Sequence, residues 1–251
     1  MIDVDDTEHR GRVRQLMAMY GPDVDGLCDA YLPALAGVGG GGVTVMTPDT
    51  SEVRYASDAV SARVEQLQFL LGEGPCRDAY AGTMPVLAED LRAAVWQRQW
   101  PAFAPAAVLA GARAVFALPL RVDGARIGVL DLYRDTAGGL TEQTMTDALI
   151  MADAVTELLL AETMTDGDDE ALFADGRGEY LLPRAAVHQA TGMVSVQLGV
   201  SVEDALARLR AHAYATGREL DDVAADVLAR RLRFNDLDDE GTGQVSSGER
   251  S

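Results

Sequence analysis

The sequence predicts an α+β fold in two parts, an antiparallel sheet with flanking helices followed by a small all-α domain of three helices. Three observations carry this. Two apolar, strand-patterned segments, Ala114–Leu120 and Ile127–Tyr133, flank Asp123-Gly124, a dipeptide that tolerates positive φ at both positions and so favours a hairpin. Gly199 and Gly217 divide residues 180–234 into three segments of helical apolar spacing. The charge also changes between the parts: Arg177–Phe234 holds eight arginines against seven acids, while the whole chain of 251 residues carries a formal net charge of −19. Nearly all the negative charge therefore belongs to the first part, as expected of two parts with different electrostatic roles.

The elements follow in order. Residues 1–6 read as a frayed acidic tail and Arg10–Tyr20 as a helix stopped by Gly21-Pro22. Leu27, Tyr31 and Leu35 mark one face of a second helix from Asp23, limited or kinked at Pro33. The Gly39–Gly42 run leads into a strand at Val43–Met46, and Glu52–Ser57 alternates as a second strand. Val60, Val64, Leu67 and Leu71 give a helix closed by Gly72, and Pro75 suits the first turn of the next. Pro85–Ala88 is a short edge strand, and Trp96–Ala110 reads as one helix restricted by Pro101 and Pro105. After the hairpin comes a long helix, Thr141–Glu162, then a Gly-bearing acidic linker. Pro183 opens the first of the three final helices, and Ser201 with Asp204 resembles a capping box for the second. The boundaries are a tail and helix at 1–22, a first domain at 23–162, a linker at 163–179, a helical domain at 180–234 and a disordered acidic tail at 235–251.

Composition excludes several classes. No apolar run reaches the roughly 18 residues of a membrane span, and the acidic start Met1–Asp6 lacks the pattern of a signal peptide, so a cytoplasmic protein is expected. Cys28, Cys76 and the scattered His9, His188 and His212 show no disulfide framework and no metal-ligand spacing, so no metal and no cofactor are expected. The chain has no lysine, and Gly39–Gly42 precedes a strand, so that run is no phosphate-binding loop. Residues 23–162 contain no histidine, which excludes a His-ligated haem there. No nucleophile–base pair is visible, and no enzyme is expected.

The stretch Leu71-Gly72-Glu73-Gly74-Pro75-Cys76-Arg77-Asp78-Ala79-Tyr80, with Pro85-Val86, Asp90-Leu91 and the Pro119…Leu130 hairpin, resembles a GAF domain over residues 23–162. Gln189–Met193, Leu198–Ser201, Ala205-Leu206, Leu209-Arg210, His212-Ala213 and Leu220–Ala224 resemble an ANTAR domain over 180–234. The first resemblance implies a small molecule or partner bound between sheet and helices. The second implies binding of paired RNA hairpins, antitermination of transcription and a homodimer.

On that basis the RNA-binding candidates are Arg184, Gln189, Thr191, Arg208, Arg210, His212, Tyr214 and Arg218, with arginines for phosphate and Tyr214 for base stacking. The bland reading is a solvated helix face with acid partners. Arg230, Arg231 and Arg233 are assigned to the C-terminal dipole of the last helix. Ala190, Gly192, Ala205 and Ala213 are assigned to close helix packing. For a pocket in the first domain the candidates are Tyr55, Cys76, Trp100 and Phe116. Cys76 stands at a helix start, where a thiol can become reactive, although buried packing is the commoner role. Trp96 and Trp100 either stack on a ligand or share a core face.

The alternatives are a dimerisation or partner-binding module without RNA affinity and, less favoured, a DNA-binding helix-turn-helix protein. Leu206 and Thr191, which stand where ANTAR domains often carry an aromatic and a lysine, suggest the former. Met145, Leu149, Ala152, Val155 and Leu159 give the long helix more apolar surface than one sheet needs, which predicts dimerisation there. The acidic first domain is expected to control the second through dimer geometry or by covering its slightly basic face.

Overall fold

The computed structural model describes residues 4–47, 51–82, 84–165 and 182–234, with side chains at 8–47, 51–82, 84–162 and 186–234. Of the linker expected at 163–179, residues 163–165 continue the preceding helix, and 166–179, like the tail from 235, lie outside the described residues. The chain divides into two compact units, Met1–Tyr180 and Leu181–Ser251.

The first unit is built on a five-stranded antiparallel sheet in the order β2-β1-β5-β4-β3. Its strands are β1 (Gly40–Met46), β2 (Ser51–Ala56), β3 (Val86–Ala88), β4 (Ala114–Val122) and β5 (Ala125–Arg134). Asp123 and Gly124 have φ of 47° and 85°, the paired positive values the hairpin between β4 and β5 requires. On one face lie α1 (Val4–Tyr20), α2 (Val24–Tyr31) with the 3₁₀ turn Leu32–Ala34, and α7 (Glu142–Thr165). On the other lie α3 (Ala59–Leu71), α4 (Pro75–Ala81), α5 (Ala94–Gln99) and α6 (Phe103–Ala110). Strand alternation feeds both cores: Leu130 and Leu132 of β5 join Leu27, Met151 and Val155, while Tyr133 points to the opposite side with Val64, Trp100 and Phe103.

Three expectations change. First, α1 starts at Val4, within the stretch read as a frayed tail, and packs on α7. Val13 and Leu16 are buried there, and His9 bonds Asp153 at 2.6 Å.

Second, this docking takes up the apolar surface that suggested a dimer. Ala152, Val155 and Leu159 lie in the core of the single chain, and of the five named residues only Leu149 is exposed.

Third, the helix read at Trp96–Ala110 is two helices. Trp100, with ψ of 72°, leaves helical conformation ahead of Pro101. The Glu73 carboxylate then accepts the Ala102 and Phe103 N–H groups at 2.7 Å each, satisfying the start of α6.

The second unit is α8 (Leu182–Leu198), α9 (Val202–Thr216) and α10 (Leu220–Leu228), separated by Gly199 and Gly217 at φ of 65° and 63°. Val187, Ala190 and Val194 meet Ala205, Leu209, Ala213, Val223 and Val227 in its interior. Ser201 caps α9 by accepting the Asp204 N–H at 3.1 Å and donates its hydroxyl to the Asp204 carboxylate at 2.8 Å.

Ala190, Ala205 and Ala213 are buried as the packing reading requires, but Gly192 is exposed and a Cβ there would touch nothing within 4 Å. Gly192→Ala is therefore expected to stabilise this unit by about 0.8–1 kcal/mol, the helix-interior penalty of glycine. A urea titration followed by circular dichroism checks this. A loss of stability would restore the packing role.

Candidate functional site

The four residues proposed for one pocket in the first unit do not meet. Tyr55 and Phe116 belong to the core facing α1, α2 and α7, where the Tyr55 hydroxyl donates to Asp29 at 2.7 Å. Cys76 and Trp100 lie on the opposite face of the sheet. The alternation of β4 explains the split, since Phe116 and Ala117 must face opposite ways. Trp100 is itself committed to the core. It stacks on Trp96 at 4.8 Å, meets Phe103 edge-on and donates its indole N–H to Asp78 at 3.0 Å.

Around Cys76 the fold gathers a polar cluster that sequence reading missed: Thr44 of β1, Glu65 and Gln68 of α3, and Asp131 of β5, all buried. Asp131 is paired across the sheet with Gly42 on one side and Ala117 on the other, and these small residues leave room above its carboxylate. Gly40–Gly42 of the glycine run belong to β1, and Gly42 lets Glu65 of α3 lie close to the sheet. A Cβ on Gly42 would stand 2.9 Å from Glu65 Oε1. The Thr44 hydroxyl donates to Glu65 at 2.8 Å, and the Gln68 amide donates to Asp131 Oδ2 at 2.8 Å. The Gln68 carbonyl accepts the Cys76 N–H at 2.7 Å. Gly74 makes that turn at φ of 133°, and a side chain there would strike Gln68.

Burial, and then the Glu65 carboxyl beside it, push Asp131 well above the ordinary carboxylate range; Gln68 and Cys76 offset this only in part. Cys76 is 2% exposed, so the reactive-thiol reading lacks the solvent access it needs. Cys28 is also buried, which pushes its thiol up, and it packs in the other core.

Two signals for this cluster were present in the sequence. Asp131 is the one charged residue in the apolar run 127–133, and Ser61, Glu65 and Gln68 share a helical face. That face resembles a solvated one, and only the sheet placed against it shows otherwise.

A second polar group closes the end of α3. Asp58 caps the helix by accepting the Val60 and Ser61 N–H groups at 2.8 and 2.9 Å, and the Tyr133 hydroxyl donates to the same carboxylate. Burial opposes the charge on Asp58, but the bonds from Tyr133, Ser61, Ser57 and Val60 outweigh it and hold the carboxyl below its ordinary value. Burial and then Asp58 push the Tyr133 hydroxyl up to about 12. A depressed folded-state value contributes stability above the unfolded value of about 3.9, and that contribution is lost as pH falls through the lower folded value. Asp58→Asn is expected to flatten the fall in urea midpoint below about pH 4. An unchanged acid limb would assign that fall to other carboxylates.

In the second unit the eight RNA candidates separate. Tyr214 is 84% exposed, and Gln189 is exposed on α8. Arg208 and Arg210 are half-buried on α9. Helical spacing puts Arg210 and Tyr214 on one flank of the core face and Arg208 and His212 on the other.

Thr191 is not available to RNA: it is 1% exposed and its hydroxyl donates to the Val187 carbonyl at 2.7 Å. The His212 ring is met edge-on by Phe234 at 5.4 Å. Arg218 is held by Asp226 at 2.7 Å, and Arg231 bonds the same carboxylate at 2.7 Å, holding it below the ordinary range. Arg231, which stands beyond the last turn of α10, is thus tied to one of that helix's side chains. The side chain of Arg184 lies outside the described residues.

These features define a regulator with a sensor-type α+β domain and a separate three-helix module. A family model for the GAF domain matches residues 23–159, and one for the ANTAR domain matches residues 179–228. The chain belongs to the GAF domain family and joins to that domain an ANTAR domain, the organisation of a GAF–ANTAR two-domain regulator.

Among solved structures it is similar to the GAF domain of an Acinetobacter phosphoenolpyruvate-protein phosphotransferase, at 14% identity over 68% of this chain and 100% of that one, TM-score 0.46. The GAF domain of a Coxiella burnetii phosphoenolpyruvate-protein phosphotransferase is 11% identical over 64% and 97%, TM-score 0.45. The free methionine-R-sulfoxide reductase of Neisseria meningitidis is 18% identical over 66% and 96%, TM-score 0.42. No curated protein matches the chain. No helix among the described residues is long and apolar enough to cross a membrane.

Proposed function

We propose that the chain is a signal-responsive regulator that binds paired RNA hairpins through α8–α10 and acts by transcription antitermination, with the GAF domain taking the signal. The observation that carries the reading is Tyr214, an aromatic ring 84% exposed on the Arg210 flank of α9 and absent from the core of its own unit. An exposed ring beside a guanidinium offers a stacking surface and a phosphate partner together. The ANTAR match supports the same assignment. Homodimerisation belongs to this proposal, on a surface other than the buried face of α7. The acidic GAF domain restrains RNA binding by competing with phosphate.

The test is a gel-shift salt series with the full chain on a two-hairpin RNA, an unstructured RNA and a duplex DNA of matched sequence. The reading requires preference for the two-hairpin RNA and a log–log salt dependence. Equal retention of all three makes the binding nonspecific. Retention of none favours the partner-binding reading, for which Val196, 85% exposed on α8, is the supporting observation.

A further inference from the structure

Glu65, Cys76 and Asp131 come from three different elements, α3, α4 and β5, and each offers a donor atom, the three atoms lying within 4.8 Å of one another. All three residues are buried. Asp131 meets Glu65 and the Cys76 thiol, and Thr44 and Gln68, which donate to the two carboxylates, are neutral. Asp131 Oδ1 is fully buried and takes no hydrogen bond. Two acids placed together in a low-dielectric interior repel strongly when both are charged. A proton shared between them answers one charge. A divalent ion answers both, engages the sulfur and supplies the partner that Oδ1 lacks.

We propose that Glu65, Cys76 and Asp131 form a binding site for a thiophilic divalent cation of the zinc class. Around a tetrahedral ion with bonds of about 2.0–2.3 Å, donor atoms stand roughly 3.3–3.8 Å apart. The observed spread, within 4.8 Å, needs a contraction of about 1.5 Å at most. The surrounding bonds are those that orient metal ligands. Thr44 holds the Glu65 carboxylate, while Gln68 holds the Asp131 carboxylate with its amide and the Cys76 backbone with its carbonyl.

Three protein ligands leave a fourth position open for a solvent or ligand atom, as in non-structural zinc sites. The Met46 thioether, 3.9 Å from Cys76 Sγ, borders the cluster. Binding forms one metal–sulfur and two metal–oxygen bonds and releases the thiol proton and any carboxyl proton to solvent. The site concerns the GAF domain alone and stands or falls independently of RNA binding.

The test uses the full chain produced in cobalt-supplemented medium, which avoids dependence on metal entry into a buried site. One cobalt per chain is expected, with a sulfur-to-cobalt charge-transfer band in the near ultraviolet. Cys28→Ser, at the chain's other cysteine, keeps the band; Cys76→Ser loses it. Gln68→Ala is expected to weaken cobalt affinity about 10- to 100-fold by freeing two ligands from their orienting partner. A folded wild-type protein without the band, or a band that survives Cys76→Ser, overturns the site. Should Cys76→Ser fail to fold, melting of the wild-type protein in zinc against chelator decides. A midpoint that rises with zinc in wild type but not in Glu65→Gln supports the site, and no rise in wild type refutes it.

Discussion

Trp100→Ala is expected to lower the stability of the GAF domain by about 3–5 kcal/mol. Trp100 is 1% exposed and makes three kinds of contact at once: a stack on Trp96 at 4.8 Å, an edge contact with Phe103, and an indole bond to Asp78. Truncation removes the largest buried side chain on this side of the sheet and leaves a cavity between α5, α6 and α3. It also strips Asp78 of one of its two donors, Gln99 remaining at 2.6 Å. At about 2–4 °C per kcal/mol for a unit of this size, the melting midpoint falls by about 6–20 °C.

Trp96→Ala serves as the control. That ring is only half-buried, so its loss is expected to cost clearly less. Differential scanning calorimetry of the two variants checks the order. Equal losses, or a larger one for Trp96→Ala, would move the anchor of this core from Trp100 to the stacked pair as a whole. A ligand-stacking role predicts the opposite pattern, with a near-normal midpoint and loss of a ligand effect.

The sequence showed most clearly what depends on neighbouring residues. The hairpin at Asp123-Gly124, the cap at Ser201 and the stops at Gly72, Gly199 and Gly217 are local devices, and each lies where its chemistry requires. Trp96–Ala110 misled because its spacing is helical on both sides of Trp100, and only the carboxylate of Glu73, nearly thirty positions earlier, shows where α6 restarts. Phe116 and Tyr55 read as pocket residues because type and position in a strand do not reveal which face the strand presents. Choosing the other parity along β5 leads to Asp131, whose partners come from α3 and α4. No spacing rule links residues 44, 65, 76 and 131 before the sheet order is known. Thr191 misled in a different way: a hydroxyl on a helix can satisfy itself on its own backbone and then be buried.

Tyr214→Ala is expected to weaken binding of the two-hairpin RNA about 5- to 150-fold, the effect of losing one stacked base at about 1–3 kcal/mol. The fold should not suffer. The ring is 84% exposed, and alanine is the better helix former at that position of α9. Loss of affinity with intact helicity therefore reports on the RNA contact and not on the scaffold. Tyr214→Phe should retain most of the affinity, because stacking uses the ring face and not the hydroxyl. The salt dependence separates this residue from its neighbour. Tyrosine carries no charge, so Tyr214→Ala should shift the whole log–log plot without changing its slope. Arg210→Ala should flatten the slope by about one unit, as loss of a phosphate contact does. Arg210 is half-buried, so its variant needs a parallel stability measurement that Tyr214→Ala does not. Fluorescence anisotropy with labelled RNA across a salt series gives both quantities in one experiment. If Tyr214→Ala binds like the wild-type protein while Arg210→Ala flattens the slope, the RNA meets α9 through charge alone. If neither variant changes anything, this flank of α9 is not the RNA surface, and the exposed Gln189 side of α8 becomes the place to look.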